Sequence, residues 1–420
     1  MPRRWIRAGA LTAAAVSLVL LFARSWRIDY PYSIDFQVYW LAGSRVAAGD
    51  SRSLYDPGGG SEDGLPLAMP ANEFKNLPIV AVAFVPFATL EYLEAKRVLW
   101  WIGLASLLAA AALTGRSILP AALGDGWTRT ALAVAGMCSL APAHTTLRHG
   151  QTTAVVTLAL TAYAAARLQR REALAGVLLG AASVVKLPTL ALAGLEALRR
   201  RFRTLAAWLA VVAITAVASV AAFGPTLHGR YADGLVQHAG TVMTGHNNQS
   251  IAAVVHRISH ASDAYAWEPR PLPRGDRIAT LIVTVLLAAA LWRGLLAGRA
   301  RGGSDLDRFR LEFPAVLAFG IVAMPVAWDH YFLLLAPGLA SLAAGLRNRG
   351  LLARPIAVAT LAVAFLLLAA PTPQRVLDAG AQGGLSWALA VSHYFIGAAL
   401  VVGLAAWGFR GAAPSERAHG

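Results

Sequence analysis

Residues 173–198 read ALAGVLLGAASVVKLPTLALAGLEAL. The run exceeds the roughly 20 residues that cross a bilayer as a helix. It is interrupted near its centre by Lys186 and Pro188. Working outward, similar apolar runs fall at about 8–23, 77–90, 97–114, 130–143, 150–166, 203–223, 276–292, 311–327, 331–346, 351–370 and 385–409. The count is about twelve. The whole chain agrees: of 420 residues 57% are hydrophobic and 14% charged, and the mean hydropathy is +0.55. A soluble protein carries about a quarter of its residues as charges. A secreted enzyme, a soluble Rossmann oxidoreductase and a disordered scaffold are therefore excluded. The expected fold class is all-α, a polytopic membrane protein of about 12 transmembrane helices in one domain over 1–410, with amphipathic helices in the first outer loop. The polar tail 411–420 is expected to be disordered.

The formal charge is +15, and lysine occurs only at positions 75, 96 and 186. The arginines stand in short clusters between apolar runs, as in the cytoplasmic loops of membrane proteins. Nucleic acid is not an expected partner. Cys138 is the single cysteine and forms no intrachain disulfide. Arg3, Arg4 and Arg7 precede the first run and Arg24 follows it with no small-residue cleavage site, which favours an uncleaved span. The arginines of 198–203 and 293–310 place those segments and the N-terminus inside. Polar stretches 24–76 and 224–275 then share the outer face. Arg167, Arg170 and Arg171 conflict with a plain twelve-span count, which puts them outside. Either 77–90 is re-entrant and 173–198 a hairpin, or this cluster breaks the rule.

Several residues carry possible chemistry. Asp35 and Tyr39 are four apart, on one helix face, in a moderately apolar stretch suited to the membrane surface. A carboxylate there suits a general base acting on a hydroxyl; a solvated loop aspartate or helix cap is the plainer alternative. Lys186 is the only lysine inside a long apolar run. A buried ammonium is costly unless it meets an anion, and phosphate is the natural one; the alternative is a lysine snorkelling from a hairpin tip. His149, Gly150 and Gln151 open an apolar helix, whose free N–H groups can receive an anion. Asp329 and His330 stand between two apolar runs, as a phosphate or proton site or an interface anchor. His246, Asn247, Asn248, Gln249 and Ser250 offer hydrogen bonds suited to sugar hydroxyls or to a turn. Asp305-Leu306-Asp307 resembles a metal-binding DxD motif but lies in a basic loop without strands around it. The histidines 228, 238, 246, 256 and 260 match no zinc signature in their spacing. No metal and no cofactor are expected.

These pieces, in this order, resemble the polyprenol-phosphate-mannose-dependent mannosyltransferases of glycosyltransferase family 87, in the GT-C superfamily. The family's opening motif is similar to Asp35-Phe36-Gln37-Val38-Tyr39, Gly49 and Tyr55-Asp56-Pro57. Its proline pair matches Pro78 and Pro86, with Asn76-Leu77-Pro78 where Tyr-Pro-Pro is usual. Its Gly-Gln matches Gly150-Gln151, followed by Thr153 in place of Asn. Its Lys and Pro match Lys186 and Pro188. Its outer-loop Asn-Gln-Ser matches Asn248-Gln249-Ser250, with Arg257 after it. Its late Trp-x-His-His matches Trp328 and His330, with Tyr331 for the second His. The resemblance covers about residues 8–400. It implies a GT-C-like fold in the cell membrane with the active site on the extracytoplasmic face. It implies Asp35 as catalytic base, Lys186, His330 and His149 toward the donor phosphate, and Tyr39, Gln151, Asn248 and Gln249 around the substrates. The implied partners are a polyprenyl-phosphate sugar donor, a lipid-linked or glycan acceptor, and membrane lipids. Mannose is the expected sugar, transferred with inversion. An arabinofuranose donor, which related members use, is the alternative within the class; a lipid-linked sugar flippase or a non-catalytic partner is the alternative outside it.

Overall fold

The computed structural model describes residues 2–26, 34–56, 74–260, 264–300, 304–380 and 384–409. The tail 411–420, expected to be disordered, and the centre of the first outer loop lie outside the described residues. The chain is overwhelmingly helical. Its only sheet among the described residues pairs β1 (Thr241–Val242) with β2 (Arg270–Pro271) antiparallel.

Every apolar run read from the sequence falls on helix, but the helices differ in reach. Five segments are long and apolar enough to cross a membrane, and a sixth is a bent pair. The first is α1 (Pro2–Ser25), over Arg4–Ser25. The second is α3 (Tyr92–Leu113) with the turn that continues it to Ile118. The third is α9 (Phe202–Gly240), two helices joined across a break at Gly224 before Pro225, and the fourth lies in α11 (Arg274–Ala300). The fifth is Asp329–Asn348, a 3-10 turn running into α13 (Ala336–Asn348). The bent pair is α16 (Gly384–Val391) and α17 (His393–Gly408), at 66°. Helices α4 (Gly126–Ser139), α6 (Thr153–Leu168), α7 (Glu172–Val185), α8 (Leu190–Leu198) and α14 (Pro355–Ala369) are shorter. The expectation of twelve full spans thus reduces to five or six by length and composition. Exposed Leu209, Ile214, Val217, Leu281 and Leu286 line α9 and α11, a surface that suits lipid rather than water.

The quoted run 173–198 is two helices, not one. α7 ends at Lys186, whose extended backbone (φ −135°, ψ 104°) leads into a short turn over Leu187–Thr189 containing Pro188. Proline removes a helical hydrogen bond and clashes with the preceding turn, and α8 leaves in a new direction. The two ends meet: Glu172, at the start of α7, pairs with Arg201 just beyond α8 at 2.9 Å. A straight helix over these residues would separate the ends by about 40 Å. α7 also runs parallel to α9. Its Gly176 faces Thr204 and Ala207, and Gly180 faces Trp208 and Val211. A β-carbon at Gly176 would come within 2.2 Å of the Thr204 carbonyl oxygen. Small residues four apart let two backbones approach in this way. The hairpin alternative therefore holds for 173–198.

One end of the bundle is tied by ions. Arg167 (α6) donates to Glu196 (α8) at 2.7 Å, and Tyr163 donates to the same oxygen at 2.6 Å; both partners are buried. Arg167 and Arg201 both meet Asp305 at the head of α12 (Asp305–Val322), and Arg199 pairs with Glu312. Asn348 donates to Asp307, Arg310 donates to the Ile118 carbonyl, and Arg7 approaches Asp125. The segments around 167–172, 196–201 and 304–312 thus share one end, and the arginine conflict disappears. At the opposite end the two polar loops touch: Arg230 donates to the Arg52 carbonyl at 2.9 Å and pairs with Asp56 at 2.5 Å.

Two apolar cores position the site. The larger fills the bundle, from Leu21 and Trp100 through Leu160, Phe313 and Leu335 to Val401. The smaller joins α2 (Ile34–Ala47) to a 3-10 helix over Pro78–Thr89, through Phe36, Tyr39, Val80, Phe84 and Tyr92. Trp40 of α2 donates to the Phe87 and Leu90 carbonyls. The far end of the 3-10 helix consequently lies beside α2, and its start is held by the segment after α2, through Tyr55 donating to the Asn76 carbonyl; a re-entrant 77–90 accords with both.

Candidate active site

The site grows from α2. Asp35 in its first turn and Tyr39 one turn later share a face, as their spacing implies. Tyr39 is buried, stacked on Phe84 at 4.6 Å. Burial pushes its hydroxyl up to about 12, so it acts as a neutral hydrogen-bond donor. It donates to the Gln151 side-chain oxygen at 3.2 Å. Asp35 stays partly open, with 29% of its side chain accessible, and its carboxylate lies 3.6 Å from His149 Nδ1.

Gln151 is delivered by the end of α5 (Ala141–His149). Gly150 caps this helix in the left-handed region (φ 68°), which glycine adopts at no steric cost. The reversal turns His149 to Asp35 and Gln151 to the interior. There the Gln151 oxygen accepts a second hydrogen bond, from Lys186 Nζ at 3.1 Å.

Lys186 arrives from the hairpin tip. It is 5% exposed and its ammonium lies 4.6 Å from the Tyr331 ring centroid. Such a contact attracts a cation through the ring quadrupole. Its near contacts are thus an amide oxygen and an aromatic face, both neutral. Among the described residues no carboxylate lies within 4.0 Å of it, and Asp35 is the opposing charge that acts on it.

The segment 328–331 closes the cluster. His330 packs edge-on against Tyr331 at 4.8 Å and feels the charges of Lys186, Asp35 and Asp329. Its Nδ1 is 3.6 Å from Asp329. Its Nε2 is buried with no hydrogen-bond partner among the described residues. His246 lies within the fields of Asp329 and His149, and burial holds its imidazole below the ordinary histidine value.

Asp35, Tyr39, His149, Gln151, Lys186 and His330 are therefore brought together. Asn248 and Gln249 are not brought to the cluster through their side chains. The Asn248 amide donates to the Met243 carbonyl and accepts from the Ala327 and Ser250 N–H groups. Gln249 donates to the His246 and Val391 carbonyls and accepts from Phe395 N–H. Arg257 adds hydrogen bonds to the Thr244, Gly245 and Asn248 carbonyls and to Ser392. Together they bind the second outer loop to the segment carrying Asp329 and His330: Gln249 N–H donates to Ala327 O at 2.7 Å and Asp329 N–H to Asn247 O at 2.8 Å. Tyr331 is the participant that sequence reading passes over as a departure from a motif. Its signal is its position, directly after the Asp329-His330 pair.

The arrangement offers a half-open carboxylate beside an imidazole, backed by a buried ammonium and a buried, unpartnered ring nitrogen. A carboxylate thus faces accessible space with cationic and donor groups behind it.

Comparison with known proteins gives these groups a context. The chain is 28% identical over 334 residues to the polyprenol-phosphate-mannose-dependent alpha-(1-2)-phosphatidylinositol mannoside mannosyltransferase of Mycolicibacterium smegmatis, covering 74% of this chain and 70% of the relative. It is 27% identical over 387 residues to the protein of the same name from Mycobacterium tuberculosis, covering 86% and 82%. Among solved structures, ArnT from Cupriavidus metallidurans bound to undecaprenyl phosphate aligns over 96% of this chain and 78% of that one, at 14% identity and a TM-score of 0.41. The profile of glycosyltransferase family 87 matches residues 74–325, a span that includes His149, Gln151 and Lys186. The chain belongs to glycosyltransferase family 87 and is a membrane glycosyltransferase.

Proposed function

We propose that this enzyme transfers mannose from a polyprenyl-phosphate-mannose donor to a hydroxyl of a glycolipid or glycan acceptor. The names of the mycobacterial relatives support the donor. One observation carries the site assignment: a buried lysine whose near partners are neutral, set in one cluster with a half-open aspartate. In the proposed reaction Asp35 takes the proton of the acceptor hydroxyl as its oxygen attacks the anomeric carbon. The carbon–oxygen bond to the lipid phosphate breaks on the opposite face, so the configuration inverts. Lys186 and His330 receive the charge that develops on the leaving phosphate, where fixed donors in a water-poor site act most strongly. Tyr39 and Gln151 hold the ammonium in place, and His149 steadies the Asp35 carboxylate. Asn248 and Gln249 act as positioning residues, fixing the segment that carries His330.

The topology proposed with this reading puts the arginine-rich end in the cytoplasm. The cluster and the loops 24–76 and 224–275 then face outward. In this reading the shorter apolar helices complete ten crossings, with 77–90 entering and leaving from outside and 172–198 from inside. The domain is single over 1–410 and GT-C-like. The direct test supplies radiolabelled polyprenyl-phosphate-mannose and phosphatidylinositol mannosides to the purified enzyme in detergent. Transfer by the wild type and its loss in Asp35→Asn support the reading; unchanged transfer in that variant, or no transfer by the wild type from this donor, overturns it.

A further inference from the structure

Away from this cluster, the second outer loop contains a group of ligands that the transfer reaction does not use. α10 (Ile251–Ser259) ends with His256 in its last turn, and His260 follows as its cap. Four residues apart, the two rings stack at 4.5 Å with 14° between their planes. Both point their Nδ1 atoms at one oxygen, Oδ2 of Asp276, at 2.6 Å and 3.3 Å. Asp276 stands in the first turn of α11 and is 4% exposed. One ligand atom from each residue falls in a set no wider than 4.8 Å.

The geometry points to a divalent-metal site, suited to zinc, formed by His256, His260 and Asp276. Two imidazoles and a carboxylate are a donor set that zinc accepts. At bond lengths near 2.1 Å, tetrahedral ligand atoms stand about 3.4 Å apart, a spacing within the range these three ligand atoms already span. His260 caps α10 with an extended backbone, and its ring still stacks on His256, so two ligands stand side by side before the ion arrives. The fourth position opens to water on the His260 side, where 46% of the side chain is accessible.

The fold supplies a reason for such a staple. The apolar cluster joining this loop's strands to α10 is small: Val242, Ala252, Ala253 and Leu272 are its buried members. Ile251 and Val255 of α10 belong instead to the bundle core, so a metal beside them would tie the small cluster to the bundle. With one cysteine in the chain, no intrachain disulfide can serve. A metal joining α10 to α11 would clamp the loop whose Asn248 and Gln249 brace the 327–330 segment. Its role is structural, and it is separate from the transfer chemistry.

The test uses the full chain in detergent without a polyhistidine tag. The protein is stripped with a chelator, desalted and titrated with zinc, and bound metal is counted by mass spectrometry. The expected result is one zinc ion per chain, with a rise in melting temperature on binding. His260→Ala and Asp276→Asn should each weaken binding by at least about 10-fold, and His238→Ala should leave it unchanged. His260 is half-exposed, so its variant tests the ligand set even if Asp276→Asn disturbs the fold. Wild-type protein that retains no zinc after desalting, or a His260→Ala variant that binds as the wild type does, overturns the assignment.

Discussion

Gly150 lies against Phe36: a β-carbon added at Gly150 would come within 2.6 Å of the Phe36 Cβ. The two residues each precede or follow a member of the site, so this contact sets the spacing between Asp35 and His149. Gly150→Ala faces both that clash and a φ of +68°, a backbone region costing about 1–2 kcal/mol for a residue with a side chain. The variant should lower the melting temperature and reduce mannosyl transfer by at least about 10-fold. A variant with wild-type transfer would show that the spacing is not needed.

Asp35→Asn keeps size but cannot take a proton. A positioned base contributes roughly 10²–10⁴ in rate, so kcat should fall by that order while donor binding persists. Asp29→Asn, six residues earlier, should keep most activity. Equal behaviour of the two, read in the same radiolabel assay, would remove Asp35 from the mechanism.

Gln151→Glu replaces an amide oxygen that accepts from Lys186 at 3.1 Å with a carboxylate. The new charge would pair with the ammonium and compete with a phosphate for it. Donor KM should rise at least about 10-fold, more than in Gln151→Asn. If the two substitutions raised KM alike, Lys186 would be acting by shape rather than by charge. The Lys186→Ala enzyme supplies the limiting value.

The ion-paired end predicts a topology that can be measured. In a Cys138→Ala background, single cysteines at Gln169 and Ser304 should both resist an impermeant thiol reagent in intact cells, while one at Ser61 should label. Labelling at Gln169 without labelling at Ser304 would contradict the shared end.

Breaking the buried tie is a stability test. Arg167 and Glu196 are 3% and 1% exposed. Removing one member of such a pair costs about 3–5 kcal/mol, and Arg167 would keep only its longer contact to Asp305. Glu196→Ala should melt well below the wild type in detergent, whereas Arg7→Ala, whose partner Asp125 is half-exposed, should not.

Much of the site could be read from local pattern. The four-residue step from Asp35 to Tyr39 needs only helix geometry, and Lys186 stands out because a charge in an apolar run demands a reason. Long-range contacts are what local pattern cannot supply. A run of apolar residues reads alike whether it is straight or folded at Pro188, so the meeting of Glu172 and Arg201 was one of two alternatives. Tyr331 beneath Lys186 joins residues far apart in the chain. Asn248 and Gln249 carry amides that suit a sugar and a backbone carbonyl equally; the main chain around Met243, Ala327 and Val391 takes them. The span count fell for a similar reason: composition identifies apolar runs, but α6, α7 and α14 are shorter helices than a full crossing calls for.

The hairpin has a consequence for how the protein is made. Since residues 172 and 201 lie side by side, the segment between them carries neither flank across the bilayer. Its insertion is neutral for the orientation of everything that follows, unlike that of a single crossing such as α9. The hairpin can therefore enter after its neighbours have been threaded, guided by the glycine-lined groove against α9. Late entry of this kind would let the crossings form before the buried ammonium is placed. Lys186, the costliest side chain to leave alone in lipid, would then meet Gln151 and Tyr331 already waiting for it.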